Sequence, residues 1–208
     1  MALNTFLLFL AAWTLMALSP GPAVFFSMSQ AARHGMHGAV AGTAGILLGH
    51  FVCFTFVAFG LAALLASVSG AMTVIRIIGA VYLMYLGVRM IMSRTQTIPD
   101  VTAAAPTPPA RGGIVLQGLL VQLTNPKNLM FVLAFLPQFI SADRPLLPQL
   151  AIMLTVTVVI DGLFLLGYAQ IAARGARALK GSRVISWLER AFGAALIFFG
   201  LNLLLSRR

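Results

Sequence analysis

The 208-residue chain is 60% hydrophobic and only 9% charged, which excludes a soluble domain, because no core of this size hides that much apolar surface. Its net charge of +10 is split among loops and helix ends, with no basic face and no interleaved aromatics, so nucleic acid is excluded as a partner. Apolar stretches long enough to cross a bilayer recur along nearly the whole length, without the short alternation a membrane β-barrel needs.

Six spans are expected, at about 4–31, 38–66, 71–92, 113–140, 147–172 and 184–205. The first lacks the basic start of a signal peptide and reads as a retained span. It contains Ser19-Pro20-Gly21-Pro22. A proline has no N–H and clashes with the preceding turn, so Pro20 and Pro22 stop a helix. Ser19 is expected as an N-cap and Pro20 as the first residue of a new helix.

The second span carries Gly38, Ala41, Gly42, Gly45 and Gly49, a small-residue seam suited to close helix packing. His50 follows, either a neutral packing residue or a proton carrier. Cys53 is the only cysteine, so no intramolecular disulfide forms and a small core role is expected. The third span holds Arg76, Gly79-Ala80, Tyr82 and Tyr85, the tyrosines read as core or interface aromatics. A Pro-rich linker over about 95–112 separates the halves and carries no chemistry of its own.

The fourth span repeats the cap-plus-proline arrangement at Asn125-Pro126-Lys127. The fifth places Asp161 in the middle of an apolar run, where a carboxylate costs about 3 kcal/mol on insertion scales. Tyr168 lies on the same span and, like Tyr82 and Tyr85, reads as a core or interface aromatic. Counted at about 1.5 Å per residue, Pro20, His50, Lys127 and Asp161 all fall near mid-membrane. Lys127 and Asp161 are then the natural ion pair, either a structural bridge or a working pair in which Asp161 exchanges a proton or meets a substrate ammonium.

The halves resemble each other. Ser19-Pro20 precedes Phe25 as Asn125-Pro126 precedes Phe131, and His50 precedes Ala62 as Asp161 precedes Ala173. Arg76 stands before Gly79-Ala80 as Arg190 stands before Gly193-Ala194. With three spans per half, the second half must insert upside down. The expected fold is therefore all-α and polytopic, a single transporter domain of two inverted three-helix repeats, the first helix of each broken at proline. The repeats cover about 1–94 and 113–208. Each break would free carbonyls, which suit an ammonium, and N–H groups, which suit a carboxylate. A zwitterionic amino acid offers both. Simple proline kinks are the plainer alternative.

Several stretches also resemble a known family. They are Ser19-Pro20-Gly21-Pro22, the Gly38–Gly49 glycine pattern, Gly79-Ala80-Val81-Tyr82-Leu83 with Leu86-Gly87, Thr124-Asn125-Pro126-Lys127, Phe135-Leu136-Pro137-Gln138-Phe139, and Asp161 with Gly167-Tyr168-Ala169. On these the chain resembles the LysE/RhtB-type amino-acid exporters over essentially its full length. The resemblance implies a small exporter of the bacterial inner membrane, driven by the proton gradient, with Ser19, Pro20, Gly21, Pro22, Asn125, Pro126, Lys127, Asp161 and Tyr168 at the substrate or coupling site. His50 matches no family pattern and carries less weight. A lone acid facing Lys127 argues mildly for a neutral over a dibasic substrate.

The expected partners are an amino acid and the lipid bilayer, with a homo-oligomer left open. A channel or an exporter of another small metabolite or ion is the competing function. No cofactor is expected. An enzyme or metal site is disfavoured, because three histidines and one buried acid form no cluster.

The basic residues fix an orientation. Arg33, then Arg89, Arg94 and Arg111, then Arg174, Arg177, Lys180 and Arg183 follow the odd-numbered spans, so those loops belong in the cytoplasm and both termini outside. In a Cys53→Ser background, an impermeant thiol reagent on intact cells should label cysteines introduced near residues 2 and 208 but not one near 105. Labelling at 105 alone would reverse the orientation.

Overall fold

The computed structural model describes residues 1–67, 111–141 and 143–174, with isolated positions between 77 and 92 and between 190 and 205. The linker up to residue 110 lies outside the described residues, as do Arg76, Gly79, Tyr82 and Gly193 and most of the expected third and sixth spans. Among the described residues all regular structure is helical: α1 (Leu3–Leu18), α2 (Pro22–Ser67), α3 (Arg111–Thr124), α4 (Pro126–Ala134), a 3-10 turn (Leu136–Phe139) and α5 (Leu146–Ala173).

The first break follows from its prolines. A residue before proline is pushed out of the helical region by the ring. Ser19 precedes Pro20 and takes φ −80°, ψ 113°, ending α1. Gly21 precedes Pro22 and lies outside the helix as well, so the next helix starts only at Pro22. The expectation that Ser19 caps a helix beginning at Pro20 is thereby corrected: the second proline of the motif moves the start by two residues. The second break behaves as expected. Asn125 is extended at φ −70°, ψ 107°, its side chain accepts from the Lys127 N–H at 3.1 Å, and Pro126 opens α4. The helices on either side of Asn125 meet at a 57° bend.

Helix α2 is two arms, not one rod. Gly35 adopts φ 66°, ψ −168°, a conformation that glycine reaches without a Cβ clash. The arms fold back on each other, since Ser27 Oγ lies 3.2 Å from Thr43 Oγ1 and a Cβ on Gly42 would stand 2.9 Å from the Phe26 ring. The loop expected between the first and second spans is thus reduced to a single glycine.

The later arm of α2 packs on α3 almost backbone to backbone. A Cβ on Gly45 would fall 2.0 Å from the Val115 carbonyl oxygen, and one on Gly118 would fall 2.3 Å from that of Gly42. The glycine seam is therefore a packing device, as its spacing suggested. Helix α5 lies along α2 and also touches α1.

Polarity is arranged inside out. Ser27, Thr43, His50, Gln122, Asn128 and Thr157 are buried, while Phe56, Phe59, Leu147 and Leu163 are about 70% exposed. A surface of this kind needs hydrocarbon around it. The main apolar core joins Phe9 and Trp13 of α1, Phe54 of α2, Phe131 of α4, and Phe135 with Phe139 around the 3-10 turn. Cys53 belongs to it and accepts a long 3.5 Å contact from Asn128 Nδ2. Gln149 ties down the connection to α5, exchanging bonds with Ser141 and donating to the Arg144 and Pro145 carbonyls.

The seam makes a direct test. Gly45→Ala should destabilise the protein by about 1–3 kcal/mol, because backbone must move to admit the methyl group. Gly60→Ala meets nothing within 4 Å and should be neutral or stabilising by up to about 1 kcal/mol. Thermal unfolding of both variants in detergent checks the pair.

Candidate functional site

The two breaks meet. The end of α1 leaves its last carbonyls short of helical partners: the Ser19 N–H turns back to the Met16 carbonyl at 3.2 Å, and side chains from the second half of the chain add to it. Lys127 Nζ donates to the Met16 carbonyl at 3.0 Å and to the Ser19 carbonyl at 2.5 Å. Tyr168 donates its hydroxyl to the Leu18 carbonyl at 2.7 Å. A cation at a helix C-terminus is electrostatically well placed.

Asp161 is held by a separate set. Its Oδ1 accepts from Trp13 Nε1 at 2.9 Å, and its Oδ2 lies 2.5 Å from His50 Nε2. His50 is fully buried. Gln122 Nε2 lies 3.3 Å from His50 Nδ1 and 2.9 Å from His50 Nε2. An Nε2–H imidazole would donate to Asp161 and could accept from Gln122 only at Nδ1, the longer of the two Gln122 contacts. Trp13 closes the site on the apolar side, its ring 5.6 Å from that of His50 and 5.1 Å from Phe131, both edge-on.

Lys127 and Asp161, expected as an ion pair, both belong to this site. His50 and Trp13 hold the carboxylate, and the α1 carbonyls hold the ammonium. Both side chains still line one cavity of about 40 Å³, together with Met16, Ser19, Gly21 and Asn128. Of the residues singled out in the sequence, Ser19, Gly21, Asn125, Lys127 and Asp161 line this cavity. Tyr168 reaches the same carbonyl end, and His50 reaches Asp161. Pro20 and Pro22 act through the backbone they interrupt, and Pro126 opens α4.

The comparisons with known proteins fit this picture. The sequence model described as LysE type translocator matches residues 14–207. The chain belongs to this family. It is 35% identical over 187 residues to a homoserine/homoserine lactone efflux protein of Salmonella typhimurium, covering 90% of this chain and 89% of the relative. A leucine efflux protein of Klebsiella pneumoniae is 31% identical over 138 residues, 66% of this chain and 64% of that one. An uncharacterized membrane protein of Vibrio cholerae is 29% identical over 211 residues, 99% of this chain. No solved structure matches the chain at comparable significance.

Within this family member, three site residues escaped the sequence reading. Trp13 looks like one more apolar residue of α1, although its ring N–H demands an acceptor when buried. Gln122 stands in an apolar run one turn ahead of Asn125, and that isolated amide was the available signal. Asn128 follows Lys127 directly and is fully buried, bonded to the Gln122 carbonyl at 3.4 Å.

The His50–Asp161 contact yields a test. His50→Leu or Asp161→Leu alone strands a buried polar partner and should cost about 3–5 kcal/mol, whereas the double substitution should be much milder. Unfolding of the four proteins in detergent completes the cycle, and additive losses would mean the contact is energetically empty.

Proposed function

We propose that the chain exports an amino acid or a close analogue from the cytoplasm across the bacterial inner membrane, driven by the proton gradient, with a neutral substrate favoured. The observation that carries this reading is the meeting of two interrupted helices at one polar cavity beside a buried carboxylate. One face of that cavity is the carbonyl end of α1, which suits an ammonium. The relatives named for homoserine and leucine efflux support a neutral amino acid as substrate.

The proposed architecture is six spans in two inverted repeats, with the site where the repeats meet. Two contacts support it. His50 and Asp161, matched in the repeat by their equal spacing to Ala62 and Ala173, touch each other. Ser19 and the Asn125–Lys127 break are equivalent too, and Lys127 reaches Ser19. Residues near a two-fold axis are the ones that meet their own equivalents.

Coupling follows from Asp161. Ionised, it binds His50 and Trp13 through charge-assisted bonds and clamps α5 to α1 and α2. A proton on the carboxylate turns these into weaker neutral contacts and loosens the clamp. The cavity holds about three waters at most, far less than an amino acid needs, so loading requires the helices to part. Protonation of Asp161 is the trigger in this reading, with His50 passing or stabilising the proton.

Cells loaded with dipeptides and expressing the chain should accumulate one or a few neutral amino acids outside. Asp161→Asn should insert normally and lose gradient-driven export by at least about tenfold, the effect of roughly 1.4 kcal/mol, while keeping slow exchange of labelled for unlabelled substrate. Full export by Asp161→Asn would remove Asp161 from the coupling step.

A further inference from the structure

We infer that Lys127 is a built-in stand-in for the substrate's ammonium, occupying the carbonyl end of α1 between transport events and yielding it to the incoming ligand. The inference rests on the exporter reading and specifies how its site works. Lys127 is not placed as an ordinary helix cap. It belongs to α4 and crosses to the end of α1, reaching a residue more than a hundred positions earlier in the chain. Its two carbonyl acceptors line or adjoin the same cavity as Asp161. A primary ammonium with three N–H donors is what these carbonyls hold now, and an amino acid brings the same group.

A second observation points to a ligand rather than to a finished structural bridge. Ser19 Oγ, Gln122 Oε1 and Asn128 Oδ1 are buried oxygens without a hydrogen-bond partner, and all three residues line this cavity. All three residues are at most 2% exposed. Three buried acceptors around one space call for a donor-rich occupant. Lys127 satisfies the backbone carbonyls and leaves the side-chain oxygens for something else.

The exchange also conserves charge. Bringing a zwitterion into a mid-membrane cavity adds no net charge, but its ammonium must find acceptors at once. If the ligand's ammonium takes the Met16 and Ser19 carbonyls, the Lys127 ammonium is released toward the ligand's acyl oxygens on one side and Asp161 on the other. Each group then swaps one partner and none is stranded.

The test uses Lys127→Met, which keeps the length of the side chain and removes the charge. Methylammonium chloride should raise the melting temperature of the purified variant, and tetramethylammonium chloride, which has no N–H, should not. In proteoliposomes the variant should exchange L-homoserine with a KM at least threefold below that of the unmodified protein, because the internal competitor is gone. Methylammonium should inhibit that exchange competitively in the variant and weakly in the unmodified protein. Stabilisation by methylammonium without competition would make Lys127 a structural tie only and overturn the inference. Absence of any methylammonium effect would overturn it as well. If Lys127→Met is not recovered folded, Lys127→Arg serves instead: a forked guanidinium holds two carbonyls more firmly, so KM should rise at least threefold, and an unchanged KM overturns the inference. Failure of the exporter reading is separable, because the unmodified protein would then exchange neither L-homoserine nor any other amino acid, while the methylammonium melting shift still reports on the carbonyl site.

Discussion

The carboxylate of Asp161 has to be gripped from several sides to exist at this depth, and the grip organises the rest of the molecule. Trp13 supplies one donor from α1 and His50 the other from α2. Gln122 of α3 lies against both nitrogens of the imidazole. These contacts need the helices unusually close. A Cβ at Gly49 would lie 2.6 Å from the Gln122 side chain, so the glycine seam and the polar cluster are one construction. Bulk added to the seam would push Gln122 off His50, and with it the support that aims the ring at Asp161.

The broken helices obey the same necessity for backbone groups. Inside hydrocarbon an unsatisfied carbonyl or N–H costs several kcal/mol, so an interruption persists only where something answers it. At the second break the chain answers locally, with the Asn125 side chain on the Lys127 N–H. At the first break the Ser19 N–H answers the Met16 carbonyl locally, and the other answers come from far along the chain, from Lys127 and Tyr168. The first break is therefore the weaker of the two in its own segment. Its integrity depends on α4 and α5 staying in place, which links any movement of those helices to the carbonyl end of α1.

Much of this was legible in the sequence, and the failures have physical causes. Runs of apolar residues and paired prolines located α1, the second break and α5 within a few residues, because those signals are local. The start of α2 was misplaced because Pro20 was taken as its first residue, whereas Pro22 also extends the residue before it, Gly21. Counting residues along a span brought Lys127 and Asp161 to one site but did not show the Trp13, His50 and α1 carbonyl contacts around them. Depth is one coordinate, and the direction in which a side chain leaves its helix is set by packing that a sequence does not display. His50 was undervalued for the same reason. No local pattern says that its ring faces Asp161, although the repeat offset had already paired the two.

That pairing has a consequence for how the two halves can work together. Under the proposed inverted repeat, the two-fold axis would exchange His50 with Asp161 and the first break with the second. A perfectly symmetric protein would have inward-open and outward-open states of equal energy. Here the equivalent positions carry an imidazole and a carboxylate, and the equivalent breaks carry Ser19-Pro20-Gly21-Pro22 and Asn125-Pro126-Lys127. Swapping which half opens to the cytoplasm therefore swaps which titrating group faces the water, and which break carries the cation. Under that proposal the two states would differ in energy, and a proton bound at this pair would shift their balance. A scaffold repeated in this way but asymmetric at its axis would give the proposed proton gradient a pair of unlike groups through which to bias the two states.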